Sequence, residues 1–227
     1  MLIQIRKVLT PEQVTEFRRL LDAASWTDGR ETAGYLSTRV KNNAQLPEMH
    51  PLALQLGQKI IETLGRNPQF HSAALPLKIV PPLFNRYAGG QAYGSHIDGG
   101  MRPVAGSSER VRTDLSATLF LSDPADYDGG ELTIEDTYGQ RSVKLEAGDL
   151  VLYPSTSLHR VMPVTRGVRL ASFFWIQSMV RDNERRVLLY ELDSIVQKLG
   201  GAGSAQHDEA LRLAGVYHNL IRFWADS

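Results

Sequence analysis

Two histidines and one aspartate are the residues of this 227-residue chain whose types and spacing point to chemistry: His96-Ile97-Asp98, and His159 much further on. Two neutral imidazoles and a carboxylate on one face of a divalent metal form the three-ligand site of non-haem iron(II) oxygenases, with coordination positions left open for a co-substrate and oxygen. In a strand, residues i and i+2 share a face, so His96 and Asp98 are expected to aim at one point while Ile97 turns into the wall. His159 follows Gly148 to Pro154, which reads as a strand ending in a Pro-Ser turn, so the third ligand is expected at the start of the next strand. A lone His-x-Asp also has a plainer reading, in which His96 caps a turn and Asp98 opens the bend at Gly99-Gly100.

Arg169 favours the metal. It lies in Val168 to Ile176, a run apolar on both faces and therefore expected to be buried on both. A buried arginine requires an anion, because stripping a buried charge of its partner costs about 3–5 kcal/mol. That anion is either an internal Asp or Glu, or the far carboxylate of a dicarboxylate ligand gripped by the planar guanidinium.

With these residues in place, the chain resembles the iron(II)/2-oxoglutarate dioxygenases of the prolyl and lysyl hydroxylase type, and more closely the bacterial PKHD-type hydroxylases of the PiuC/YbiX kind. The matching stretches are Asn85-Arg86-Tyr87 to Gly99, Asp128-Gly129-Gly130-Glu131-Leu132, Gly148 to Pro154, His159 to Pro163 and Gly167 to Trp175. The resemblance implies a double-stranded β-helix, or jelly roll, with Fe(2+) on His96, Asp98 and His159. It implies 2-oxoglutarate as co-substrate, its distant carboxylate on Arg169 and a further contact from the Tyr87 hydroxyl. Molecular oxygen is then the oxidant, succinate and carbon dioxide are released, and L-ascorbate keeps the metal reduced. Collagen-type animal prolyl hydroxylases generally carry lysine where this chain has Arg169, so the grip differs while its charge is kept. Related halogenases replace the carboxylate ligand with a small residue; Asp98 is present here, which favours hydroxylation.

The resemblance leaves the substrate open among a prolyl or lysyl side chain, a free amino acid and a siderophore-like small molecule, the last because similar bacterial proteins are associated with iron uptake and homeostasis. Two other readings stand beside it. The same barrel and ligands suit a non-catalytic sensor of metal or 2-oxoacid, and His and carboxylate ligands also accept zinc or nickel.

The expected fold class is mainly β with flanking helices, in three parts: helices and strands buttressing the barrel over 1–76, the dioxygenase core over 77–178, and a helical extension over 179–227. Thr10-Pro11-Glu12-Gln13 reads as a capping box opening a helix that buries Val14, Phe17, Leu20, Leu21 and Ala24. A second helix is expected after Pro47, with Leu52, Leu56, Ile60 and Leu64 inward. From Leu77 the pattern turns to short strands: Leu77 to Val80, Leu83 to Tyr87, Leu115 to Leu121, Glu131 to Glu135, Gln140 to Leu145, Leu150 to Tyr153, Leu158 to Val161 and Val168 to Gln177. Thr137-Tyr138-Gly139 is expected as a hairpin loop, and Gly129-Gly130 as a tight turn, not a phosphate loop, since no helix follows.

The segment from Gly99 to Thr113 is long, rich in Gly and Ser, and starts at a candidate ligand, as a lid over the site would. Its Arg102, Arg110 and Arg112 are available to an acidic substrate or to solvent. After Arg181 a stripe of Leu188, Leu192, Ile195 and Leu199 predicts one helix, ended by Gly200-Gly201. A second carries Leu213, Tyr217, Leu220, Ile221 and Trp224. Such a hairpin packs on its own domain, with a homodimer as the alternative.

Lys plus Arg and Asp plus Glu number 25 each, which argues against nucleic acid or an anionic membrane as a general partner. Cysteine is absent, so no disulfide or thiolate chemistry is available. No stretch approaches the roughly 20 apolar residues of a membrane span, and the first residues carry no signal-like apolar run, so the cytoplasm is the expected location. His50, His71, His207 and His218 read as surface or helix-packing residues, and Trp26, Trp175 and Trp224 as core or interface aromatics.

Overall fold

The computed structural model describes residues 1–32, 37–136, 139–201 and 206–226. The first part comprises β1 (Ile3–Ile5), α1 (Pro11–Asp22), β2 (Thr27–Asp28), β3 (Lys41–Asn42), β4 (Ala44–Gln45), α2 (Pro51–Leu64) and α3 (Pro68–Ala74). Helix α1 starts as its sequence dictates: Thr10 accepts from the Gln13 amide, and the Gln13 side chain accepts from the Thr10 amide. His50 is neither free surface nor packing; its Nδ1 accepts from the Leu52 amide at 3.1 Å and caps α2.

The strands that follow are β5 (Pro76–Ile79), β6 (Leu83–Ala88), β7 (Ala92–His96), β8 (Met101–Pro103), β9 (Arg110–Arg112), β10 (Leu115–Phe120), β11 (Tyr127–Gly129), β12 (Leu132–Asp136), β13 (Gly139–Val143), β14 (Leu150–Pro154), β15 (His159–Val161) and β16 (Val164–Ser178). Helices α4 (Asn183–Leu199) and α5 (His207–Trp224) close the chain's described part. Two antiparallel sheets form the jelly roll. The larger runs β1-β14-β10-β16-β6-β4-β2, with β5 and β11 also on β16; the smaller runs β13-β12-β15-β7-β3.

From Arg169 to Ile176, strand β16 is buried or half-buried on both faces, as its apolar run requires, while Thr165 to Gly167 at its start are exposed. Leu170, Phe174 and Ile176 join a core with Phe17, Leu56, Ile60 and Phe70 from the helices. The alternate residues, Arg169, Phe173 and Trp175, turn toward the interior of the roll. That interior has its own cluster, built from Tyr87, Phe120, Tyr127, Leu132, Ile134, Val151, Tyr153 and Val161 of both sheets.

Four further expectations are corrected. Strand β7 ends at His96, and Asp98 lies just beyond it, so the two residues do not share one regular strand. Ile97 does not turn into the wall: it is 55% exposed at the rim of the cavity. The segment from Gly99 to Thr113 is not structureless, because β8 and β9 pair as a ribbon whose base is tied by Thr113 Oγ1 donating to the Gly99 carbonyl at 2.6 Å. In α4 the buried leucine is Leu189, while Leu188 is 56% and Ile195 48% exposed. The cause is Arg186, whose buried guanidinium donates to the carbonyls of Val180 (2.7 Å) and Arg181 (2.6 Å) and rotates the helix's polar side inward.

Tyr217, Leu220, Ile221 and Trp224 of α5 pack with Leu189 against Leu75 and Val180, so the helical hairpin rests on its own domain. Of the expected loop at Thr137-Tyr138-Gly139, the first two residues lie outside the described ones; β12 and β13 pair up to Asp136 and Gly139. No described helix is long and apolar enough to cross a membrane.

Candidate metal and co-substrate site

His96 and His159 come from adjacent strands of the smaller sheet and stand directly opposite one another in the β7–β15 register. Their rings lie 4.2 Å apart between centroids, and Asp98 Oδ2 is 3.8 Å from His159 Nε2. The ligand atoms offered by the three residues all fall within 4.8 Å of one another, close enough to share one ion.

Each side chain is held by a neighbour. His96 Nδ1 meets the Gly94 carbonyl at 2.8 Å and His159 Nδ1 meets the Ser157 carbonyl at 3.0 Å. Protons on both Nδ1 atoms satisfy those carbonyls and leave both Nε2 lone pairs for a metal. Burial, reinforced by His159, pushes the His96 imidazole down to about 4, so it is neutral and ready to ligate near neutral pH. Ser116 Oγ donates to Asp98 Oδ2 at 2.6 Å and is itself 2.7 Å from Ser155 Oγ, which fixes the carboxylate after the strand has ended.

Arg169 is 1% exposed, and all three of its guanidinium nitrogens lack a hydrogen-bond partner among the described residues. No Asp or Glu among the described residues supplies the internal partner that would explain it. Its walls are aromatic: the guanidinium carbon is 5.4 Å from the Tyr87 ring and 5.2 Å from Phe120. Tyr87 is opposite Arg169 in the β6–β16 register and 1% exposed, and burial raises its phenol, which stays a neutral donor. Gly130, at φ +68°, makes room for this arrangement, since a Cβ there would come within 3.0 Å of Arg169 Cδ and 2.9 Å of the Tyr127 ring.

One cavity of about 480 Å³ joins His96, Asp98, His159, Tyr87 and Arg169, within the roughly 300–1,000 Å³ of small-molecule sites. The donor set fits a divalent first-row metal, and the orphaned guanidinium fits a dicarboxylate whose other end chelates that metal. Several lining residues carried no sequence signal. Ser116, Lys41 and Tyr153 reach the cavity from other strands and Tyr93 from β7 itself, and nothing in their local pattern distinguishes them from ordinary strand residues.

Comparison with known proteins agrees with this geometry. Residues 82–177 match the 2OG-Fe(II) oxygenase superfamily and residues 182–226 match the PKHD-type hydroxylase C-terminal domain. A PKHD-type hydroxylase of Methylobacillus flagellatus is 60% identical over the whole of both chains, and PKHD-type hydroxylase PiuC of Pseudomonas aeruginosa is 55% identical over the whole of both. Among solved structures, a Pseudomonas putida prolyl-4-hydroxylase is 21% identical with a TM-score of 0.52, covering 78% of this chain and 92% of its own. A Trichoplax adhaerens prolyl hydroxylase bound to a hypoxia inducible factor peptide is 17% identical with a TM-score of 0.55, over 82% and 86% respectively. These two share the fold, and the close full-length relatives fix the family: the chain belongs to the PKHD-type hydroxylases, enzymes of the 2OG-Fe(II) oxygenase superfamily.

Proposed function

We propose that the protein is a hydroxylase in which His96, Asp98 and His159 hold one Fe(2+) and Arg169, with Tyr87, holds the distant carboxylate of 2-oxoglutarate. The observation that carries this reading is the fully buried Arg169 guanidinium with no hydrogen-bond partner among the described residues, in the same cavity as three converging metal ligands. When bound, the metal and 2-oxoglutarate supply the oxidising power, with succinate and carbon dioxide as by-products. The chain itself does four things. It presents two deprotonated Nε2 atoms, orients Asp98 through Ser116, anchors the co-substrate at Arg169, and screens the cavity from bulk water with Tyr87, Phe120 and Tyr153.

The substrate belongs to a small organic molecule or a peptidyl side chain, and a role in iron uptake or homeostasis follows from the association of similar bacterial proteins with it. L-ascorbate serves as reductant and the cytoplasm as location. Contact between copies through the exposed apolar residues of α4 and α5, among them Leu188 and Leu211, is the homodimer this reading allows. Purified protein supplied with Fe(2+), 2-oxoglutarate and oxygen should release succinate and add one oxygen mass to a component of a metabolite and peptide extract. Absence of 2-oxoglutarate consumption with Fe(2+) bound would overturn the reading.

A further inference from the structure

Of the three candidate ligands, Asp98 is the one that lies outside the sheet. Pairing between β7 and β15 stops at His96, so the strand register does not set which way the Asp98 carboxylate turns. Ser116 Oγ sets it instead, by donating to Asp98 Oδ2 at 2.6 Å. A carboxylate only accepts, so the Ser116 proton is committed to Asp98, and the 2.7 Å contact between Ser116 Oγ and Ser155 Oγ takes its proton from Ser155. The two hydroxyls therefore run in one direction, from Ser155 to Ser116 to Asp98. Both serines are buried, at 2% and 3% exposure, where such a chain is strengthened by the low local dielectric.

The serines come from the larger sheet and reach a ligand that follows a strand of the smaller one. Ser116 stands opposite Tyr153 in the β10–β14 register, and Ser155 directly follows β14, its amide donating to the Asp114 carbonyl at 3.2 Å. Ser155 also opens the turn that leads to His159. In that turn the Ser157 amide donates to the Pro154 carbonyl at 3.0 Å, and the Ser157 carbonyl meets His159 Nδ1 at 3.0 Å. One short turn, Pro154 to Ser157, thus supports two of the three ligands: His159 through a carbonyl, and Asp98 through a pair of hydroxyls.

A carboxylate can grip a metal through one oxygen or through both. With both, Asp98 would fill a position that two histidines and one carboxylate otherwise leave open for a co-substrate and oxygen. A two-oxygen grip needs the whole group free to turn toward the ion, and an Oδ2 tied at 2.6 Å to a hydroxyl on β10 is not free to turn. Resting on the proposed function above, we infer that Ser155 and Ser116 are positioning residues that restrict Asp98 to a one-oxygen grip on the metal, and so keep a coordination position open for the chelating end of 2-oxoglutarate.

The test uses the full chain loaded with manganese(II) under nitrogen, so that no turnover occurs, and titrated by calorimetry with 2-oxoglutarate and with glutarate. The two diacids share length and charge, but only 2-oxoglutarate has the keto oxygen that completes a chelate. Their affinity ratio therefore reports the open position and cancels any change at Arg169. Ser116→Ala should lower the ratio roughly ten-fold or more, the scale on which the outer partners of metal ligands act. Ser155→Ala should lower it by a smaller factor, because Ser116 still donates, and Ser116→Thr, which keeps a hydroxyl, should retain most of it. Solvent-proton relaxation by the manganese-loaded protein, measured with neither diacid present, should weaken in Ser116→Ala as a second carboxylate oxygen displaces a metal-bound water. An unchanged ratio or unchanged relaxation in Ser116→Ala overturns the inference, whatever happens to manganese affinity, since the serine would then do no more than hold Asp98 in place. If Ser116→Ala fails to fold, Ser155→Ala carries the same two measurements, and no change in either overturns the inference there. A parent that binds 2-oxoglutarate no better than glutarate strikes the proposed function instead, and the relaxation measurement then decides the inference by itself.

Discussion

At the residue scale the two halves of the site separate by what each side chain lacks. His96 and His159 have their Nδ1 atoms committed to backbone carbonyls and their Nε2 atoms converging with Asp98, a pattern complete except for a metal. Arg169 is complete except for an anion. Alanine at His96, Asp98 or His159 should each strongly lower iron occupancy measured on anaerobically purified protein, and full occupancy in His159→Ala would remove that residue from the set. Arg169→Leu should keep its iron while its affinity for 2-oxoglutarate falls roughly ten- to hundred-fold, as loss of charged hydrogen bonds worth about 1.5–3 kcal/mol implies. The same variant carries an opposite expectation for stability. In the ligand-free parent the guanidinium is buried without a hydrogen-bond partner among the described residues, and replacing buried charge by an apolar side chain is often neutral or stabilising by about 1–4 kcal/mol. Thermal unfolding without 2-oxoglutarate should therefore show Arg169→Leu at or above the parent, and the order should reverse when 2-oxoglutarate is added. Equal 2-oxoglutarate affinity in the two proteins would refute the assignment.

Among the elements, legibility tracked how much of an element's pattern is apolar. Strand β14 is a continuous apolar run, β10 and the Val168–Ile176 stretch of β16 are mostly apolar, and each is found where its sequence reads as a strand. Strand β7, Ala92-Tyr93-Gly94-Ser95-His96, carries the first ligand yet has no apolar alternation, because Tyr93 and His96 both face the cavity and Gly94 must be glycine for β3 to approach. The site residues at the ends of the cavity were legible from charge and spacing. Lys41 and Ser116 were not, because their meaning comes from partners more than fifty and eighteen positions away respectively, Tyr93 and Asp98, or is revealed only by pairing. The β8–β9 ribbon is intermediate: its position after Asp98 marked it, while its hairpin was hidden in Gly and Ser. Since Met101, Arg102 and Pro103 line the cavity far from Arg169, the ribbon is expected to govern the substrate and not the co-substrate. Replacing residues 104–109 by a two-residue Asn-Gly turn should spare 2-oxoglutarate consumption in the absence of substrate and impair hydroxylation of the true substrate. Loss of 2-oxoglutarate binding with the fold intact would place the ribbon in the co-substrate pocket.

For the whole molecule, the C-terminal hairpin matters because it is bolted to the strands that carry the site. Arg112 of the ribbon forks onto both carboxylate oxygens of Asp114, at 2.8 and 3.0 Å, donates to the Ser178 carbonyl at the end of β16, and lies 3.2 Å from Asp226. The Asp226 amide donates in turn to the Met179 carbonyl at 2.7 Å, so the end of α5, the end of β16 and the foot of the ribbon form one connected unit. Beneath it, Leu189 is fully buried against Leu75 and Val180, in a cluster separate from the two cores of the roll. Separate clusters predict separable effects. Leu189→Ala should cost about 2–5 kcal/mol through lost burial and the cavity left behind. For a chain of this size that is a fall of roughly 5–15 °C in Tm. Well below that temperature iron occupancy should be unchanged, because none of the three ligands touches this cluster. Leu188→Ala, one position away on the exposed side of α4, should shift Tm by little, within about 0.5 kcal/mol. Calorimetry on the two variants decides the matter: equal losses would mean that α4 is rotated from the orientation given by Arg186, and loss of iron in Leu189→Ala at low temperature would mean that the hairpin supports the metal ligands directly.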